Sequence, residues 1–242
     1  MQSPVDIKTT LVCQDSQLMQ RPLYWNYVPN NCKSLLNTGG GWKVTVEGQG
    51  SCLTGGPLAN SYQLLQFHSH WGRCPNSGSE HTVDGRAYAC ELHLVHWNVD
   101  LYNSPEEATT SPQGLAVIGV FFEVGRKNRE LSKITDILHE IRNKGDECPI
   151  TEAINPASFF PDDLEYWTYE GSLTTPPYSE SVTWIVFKKP IEISEKQLEI
   201  LRFMNSSSAE ICDDGYPVFK KVEDNCRVVQ PMNGREIREA PY

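Results

Sequence analysis

Short alternating runs dominate the chain. Trp42, Val44 and Val46 point one way, with Lys43, Thr45 and Glu47 between them, which is the two-residue period of a half-buried strand. Further strands are predicted at residues 64–71, 89–97, 115–124 and 181–188, where apolar residues either alternate or run unbroken. Helical spacing is confined to two stretches. Leu131, Ile134, Leu138 and Ile141 form one stripe, with Gly145 as its stop. Ser194 followed by Gln197 is a capping box, and Leu198, Leu201 and Arg202 continue that turn. Strands outnumber helices and no regular helix separates them. The pattern therefore opposes a doubly wound α/β fold and predicts an α+β, mainly β domain: a large sheet with short peripheral helices.

Composition narrows the class. The chain has 242 residues, 39% of them hydrophobic and 21% charged, enough for one ordinary globular domain. Glycine and proline are spread throughout and no linker divides the chain, so one domain over residues 1–242 is expected. The longest apolar run, residues 116–122, is far too short to span a bilayer, and no basic N-terminus leads into an apolar stretch. Neither a membrane segment nor a signal peptide is expected. With 21 Lys and Arg against 31 Asp and Glu the net charge is −10, which excludes a broad nucleic-acid footprint. Eight cysteines, at 13, 32, 52, 74, 90, 148, 212 and 226, form no C-x-x-C pair and are read as scattered reduced thiols. Asn205–Ser206–Ser207 is the only glycosylation sequon and is of a kind that arises by chance.

Candidate chemistry is concentrated in the histidines. Five of the six lie between residues 68 and 96. His68 and His70 are two apart on a strand, so both project from one face. His93 lies on another strand. Three neutral imidazoles hold Zn²⁺ and leave a fourth tetrahedral position for water, the pattern of a catalytic zinc site. From spacing alone the third ligand stays open among His81, His93 and His96. Partners favour His93. Gln66 shares the face of His68 and His70, and Glu91 shares the face of His93; such acceptors fix the tautomer of a zinc-bound ring. His96 lies an odd number of residues from His93 and is read as a packed core histidine. His81 is placed in a turn or edge with a structural role, and His139 in solvent near the end of the first helix.

At this point a family resemblance emerges. Residues 66–72 (Gln-Phe-His-Ser-His-Trp-Gly), 78–84 (Gly-Ser-Glu-His-Thr-Val-Asp), 91–98 (Glu-Leu-His-Leu-Val-His-Trp-Asn) and 166–177 (Tyr-Trp-Thr-Tyr-Glu-Gly-Ser-Leu-Thr-Thr-Pro-Pro) resemble the signatures of the α-class carbonic anhydrases. The likeness runs from residues 2–7 to residues 225–227. It implies one domain on a large, mostly antiparallel twisted sheet, and reversible hydration of carbon dioxide to bicarbonate and a proton by zinc-bound hydroxide. His68, His70 and His93 become the zinc ligands, with Gln66, Glu91 and the backbone of Asn225 as their partners. Thr174 and Glu80 match the family's orienting pair. A carboxylate only accepts hydrogen bonds, so Thr174 would donate to Glu80 and keep a lone pair for the nucleophile. Val95, Val117, Leu173, Val182 and Trp184 correspond to the apolar wall for carbon dioxide, and Thr175 to a bicarbonate contact. Anion and sulfonamide inhibitors and a monomeric state are expected on the same ground. The alternative is a catalytically weak or silent binding domain of the same fold. Such domains typically lose a zinc ligand, and all three are present here.

Two departures stand out. The family's proton shuttle is commonly a histidine at the position held here by Gly40, in the triplet Gly39–Gly40–Gly41. That triplet reads as a turn, in which a positive φ at Gly40 would oppose any side chain. The family's usual N-terminal segment also has no counterpart, so a shortened domain is expected. Secreted relatives usually carry a cysteine after the Pro–Pro pair. Tyr178 stands there instead, which favours the cytoplasm.

Overall fold

The alternating runs become the strands they predict, joined by edge strands too short to read from sequence. A computed structural model describes residues 1–207, 210–211 and 217–240. Its centre is a mixed sheet of 13 strands. Across it the order is Glu147–Pro149, Cys32–Asn37, Trp42–Val46, Tyr62–Trp71, Cys90–Asn98, Leu115–Val124, Val182–Phe187, Tyr166–Gly171, Arg238–Glu239 and Cys13–Gln14. Pairing is antiparallel from Glu147–Pro149 through to Leu115–Val124. Leu115–Val124 then pairs in parallel with Val182–Phe187. The expected α+β, mainly β architecture with a mostly antiparallel sheet is what the chain adopts.

Two cores fill the faces of the sheet. Phe67, Leu92, Leu94 and Ile118 are buried in one; Val95, Val117, Phe121 and Trp184 in the other. A bulge between Leu64 and Gln66 adds one residue to the Tyr62–Trp71 strand. A one-residue insertion reverses side-chain parity. Leu64 therefore joins the core of Phe67, while Gln66, His68 and His70 face the other way. Simple alternation over residues 64–71 does not contain this reversal.

The helices are peripheral. Ser194 caps Glu195–Arg202 with the expected reciprocal bonds to Gln197. The stripe from Leu131 to Ile141 is buried as expected, but an α-helix over Arg129–Thr135 gives way to a 3-10 turn over Leu138–Ile141. The tighter turn keeps residues three apart on one face, so the apolar stripe survives the change of helix type. His139 is exposed. No helix among the described residues is long and apolar enough to cross a membrane. Each described cysteine is free, and Cys212 lies outside the described residues.

His96 projects away from His93, as the odd spacing predicts. Its Nδ1 donates to the Ala116 carbonyl at 3.2 Å, and the Tyr27 hydroxyl donates to its Nε2 at 2.9 Å. Burial pushes its pKa down from 6.5 to about 4. The unfolded chain takes up a proton below about pH 6.5 that the folded chain refuses until about pH 4. Stability is therefore unaffected above that window and falls as pH drops through it. Between pH 7 and pH 5 this residue alone should remove about 2 kcal/mol of stability. Urea unfolding of the metal-free protein and of metal-free His96→Gln checks this: the variant should lose less stability by that amount. Equal pH dependence in the two would rule His96 out as the cause.

Candidate metal centre

Cross-strand register assembles the histidines. His68 and His93 are direct partners across two central strands, and Glu91 is opposite His70. Directly opposed residues share a face, so the three rings converge. Their centroids are 5.1 Å (His68 and His70), 5.4 Å (His68 and His93) and 4.7 Å (His70 and His93) apart. One ligand nitrogen from each lies within 4.8 Å of the other two.

Each ring is held by its other nitrogen. His68 Nδ1 meets Gln66 Oε1 at 2.8 Å, His70 Nδ1 meets the Asn225 carbonyl at 3.0 Å, and His93 Nε2 meets Glu91 Oε1 at 2.7 Å. These are the three partners expected from sequence. Burial pushes the pKa of His68 well down and that of His93 down, so both rings stay neutral with a lone pair free. His70 Nε2 is buried with no hydrogen-bond partner. A buried orphan nitrogen is costly, and a metal ion is the partner that its neighbours' geometry suits. The donor set therefore fits Zn²⁺: three imidazoles, each fixed by an acceptor, converge on one point.

A second cluster, His81, Glu91 and His93, also brings ligand-type atoms together, but those atoms are already engaged. Glu91 Oε1 accepts from His81 Nδ1 and from His93 Nε2, both at 2.7 Å. Glu91 Oε2 accepts the backbone N–H groups of Glu80 and His81 at 2.9 and 2.8 Å. Burial alone would raise the Glu91 carboxyl, yet His81 and His93 hold it well below the usual carboxylate range. Gly119 lies opposite His93, and a Cβ there would come within 3.3 Å of Glu91 Oε1. The glycine makes room for that carboxylate.

Glu80 is almost fully buried. Its Oε1 accepts the backbone N–H of Arg227 at 2.8 Å and lies 3.3 Å from His70 Nδ1. Its Oε2 lies 3.9 Å from His93 Nδ1 and has no hydrogen-bond partner. Thr174, 7% exposed, lines a cavity of about 140 Å³ together with His68, His93, Val95, Val117 and Leu173. Thr175 and Trp184 complete the expected set in that lining. Val182 does not reach it; its side chain packs in the buried cluster with Val117 and Trp184. A wider cleft of about 640 Å³ opens on the other side of His68 and His70, past Gly40, Lys43 and Thr175.

Sequence reasoning missed two participants. The Arg227 N–H is a backbone group, and Gly119 acts by lacking a side chain. His81, read as a structural residue in a turn or edge, stands in a bend just before the Thr82–Val83 strand and lies fully buried against Glu91. The spacing of His81 and Glu91 to hydrogen-bonding groups carries no period that could have revealed it.

Comparison with known proteins agrees with this geometry. The family model for eukaryotic-type carbonic anhydrase matches residues 1–241. Carbonic anhydrase 1 of Mus musculus is 46% identical over 239 residues, covering 98% of this chain and 88% of the mouse protein. On a match of that extent, the chain belongs to the eukaryotic-type carbonic anhydrase family and is an enzyme of that kind.

Proposed function

We propose that residues 1–242 form one carbonic anhydrase domain that hydrates carbon dioxide to bicarbonate and a proton with zinc held by His68, His70 and His93. The observation that carries this reading is the convergence of three fixed imidazoles on the unpartnered His70 Nε2. When bound, zinc lowers the pKa of a coordinated water to about 7 and so supplies the nucleophile at neutral pH.

The chain's own residues do the rest. Gln66, Asn225 and Glu91 set the tautomer and tilt of the ligands. Glu80 presents Oε2, which has no hydrogen-bond partner of its own, as an open acceptor. With zinc bound, the Thr174 hydroxyl would donate there and keep its own lone pair for the O–H of the nucleophile. Val95, Val117, Leu173 and Trp184 give the 140 Å³ cavity an apolar wall suited to carbon dioxide. Val182 supports that wall from behind. Thr175 lines both this cavity and the wider cleft, where it would meet bicarbonate as it leaves. Sulfonamides and small anions would compete at the same point. With Tyr178 after the Pro–Pro pair, a cytoplasmic monomer is the matching cellular form. Elemental analysis for zinc, with stopped-flow hydration, tests the reading. One zinc per chain with turnover supports it; zinc without turnover points to the silent binding domain.

Proton export should limit the rate. Histidine is the side chain whose ordinary pKa suits proton transfer at neutral pH, and Gly40 lines the cleft where one would serve. Gly39 and Gly41 have φ of +85° and +153°, but Gly40 does not use the left-handed region. This corrects the expectation of a positive φ there. The nearest heavy atom to a Cβ at Gly40 is Thr38 Oγ1, at 3.8 Å, so a side chain fits. Added imidazole buffer should raise kcat by about ten-fold while kcat/KM barely moves. Gly40→His should reproduce that gain in dilute buffer. A kcat already high in dilute buffer and indifferent to imidazole would mean that another shuttle operates.

A further inference from the structure

The geometry points to Tyr169 and Ser3 as positioning residues for the metal ligand His93, acting through His81 and Glu91. This rests on the zinc reading above. The Glu91 carboxylate accepts and cannot donate, so its bond to His81 requires the proton on His81 Nδ1. The other ring nitrogen, Nε2, lies 2.6 Å from the Tyr169 hydroxyl, which is hydrogen-bonded to the Ser3 hydroxyl at 2.9 Å. The Ser3 hydroxyl oxygen accepts the Ser172 N–H at 3.1 Å, and the Ser3 N–H donates back to Ser172 Oγ at 2.9 Å. The contacts form one unbroken series from Ser172 to Glu91.

No link can be replaced by solvent. Ser3, His81, Glu91 and Ser172 are 0% exposed and Tyr169 is 1% exposed. At the far end, Glu91 Oε1 is shared between His81 and His93. Whatever holds His81 therefore holds the oxygen that orients His93. Without the Tyr169 hydroxyl, His81 Nε2 becomes a buried ring nitrogen with no partner, and the ring loses its anchor opposite Glu91. Outer partners of metal ligands matter for metal retention; Tyr169 stands three hydrogen bonds from His93, so a smaller effect is expected than for Glu91 itself.

The protein supplies its own control. Tyr27 makes an equivalent buried bond to His96 at 2.9 Å on the opposite face of the sheet, without reaching the metal ligands. The experiment follows zinc release to an excess of chelator from zinc-loaded wild type, Tyr169→Phe, Ser3→Ala and Tyr27→Phe, with urea unfolding alongside. Tyr169→Phe should release zinc about three- to ten-fold faster than wild type, and Ser3→Ala about two-fold faster. Tyr27→Phe should lose stability but release zinc at the wild-type rate. Wild-type release from Tyr169→Phe, or equal acceleration in Tyr27→Phe, would overturn the positioning role. If Tyr169→Phe does not fold, Ser3→Ala reads the same series from its other end, and wild-type release there is equally fatal. A wild type that takes up no zinc would instead defeat the functional reading itself.

Discussion

His93→Ala should leave the protein nearly free of zinc and without measurable hydratase activity, while His96→Gln keeps a full complement of metal. The two histidines are three residues apart on one strand, yet face opposite sides of the sheet. His93 lies 4.7 and 5.4 Å, centroid to centroid, from the other two ligand rings. His96 is committed to Tyr27 and Ala116. A four-ligand structural zinc site binds with about 10–16 kcal/mol, so one ligand is worth about 3 kcal/mol or more, over a hundred-fold in affinity. Removing His93 also strands Glu91 Oε1 with one donor fewer in a dry interior. Zinc-to-protein ratios after dialysis read the result directly. Full occupancy in His93→Ala, with loss in His96→Gln, would reverse the ligand assignment.

Thr174→Ala and Glu80→Gln should keep zinc and lose rate. We expect kcat/KM to fall about ten- to a hundred-fold in each, or about 1.4–2.8 kcal/mol of transition-state orientation. The Glu80 variant is the sharper test because the fold can tolerate it. A glutamine carbonyl can still accept the Arg227 N–H that now bonds Oε1 at 2.8 Å. Its NH₂ then occupies the place of Oε2, so a donor stands where Thr174 needs an acceptor. Steady-state hydration kinetics with parallel zinc analysis separate lost orientation from lost metal. Wild-type kcat/KM in both variants would remove the orienting pair from the mechanism.

Much of this site was legible because strands encode direction by parity. Two-residue spacing put His68 with His70 and Gln66, and Glu91 with His93, and the odd step turned His96 away. The long motifs of the resemblance added Glu80 and Thr174, which parity could not. What stayed hidden has a common cause. The Asn225 carbonyl could be named only from the resemblance, and the Arg227 N–H is a group that every non-proline residue possesses. The bulge between Leu64 and Gln66 leaves no mark in residue type, and neither does the space that Gly119 leaves for Glu91. The partners of His81 stayed hidden because its segment, Gly78–Ser79–Glu80–His81–Thr82, carries no apolar side chain to mark it as buried. Its polar groups are in fact spent on one another and on Glu91 inside the protein.

The register that unites the three rings also sets an order of emergence during synthesis. His68, His70 and His93 stand on Tyr62–Trp71 and Cys90–Asn98, antiparallel neighbours joined by a connection of modest length. A nascent chain therefore presents the whole ligand set once residue 98 is clear of the ribosome. The carbonyl that fixes His70 follows 155 residues after that histidine, and Ser3 waits for a partner 169 residues away. Closing a loop of that length costs about 1.6 kcal/mol more than joining His68 to His93. The ligands can thus meet early and cheaply, whereas the carbonyl that holds His70 belongs to the last stretch of chain to be made.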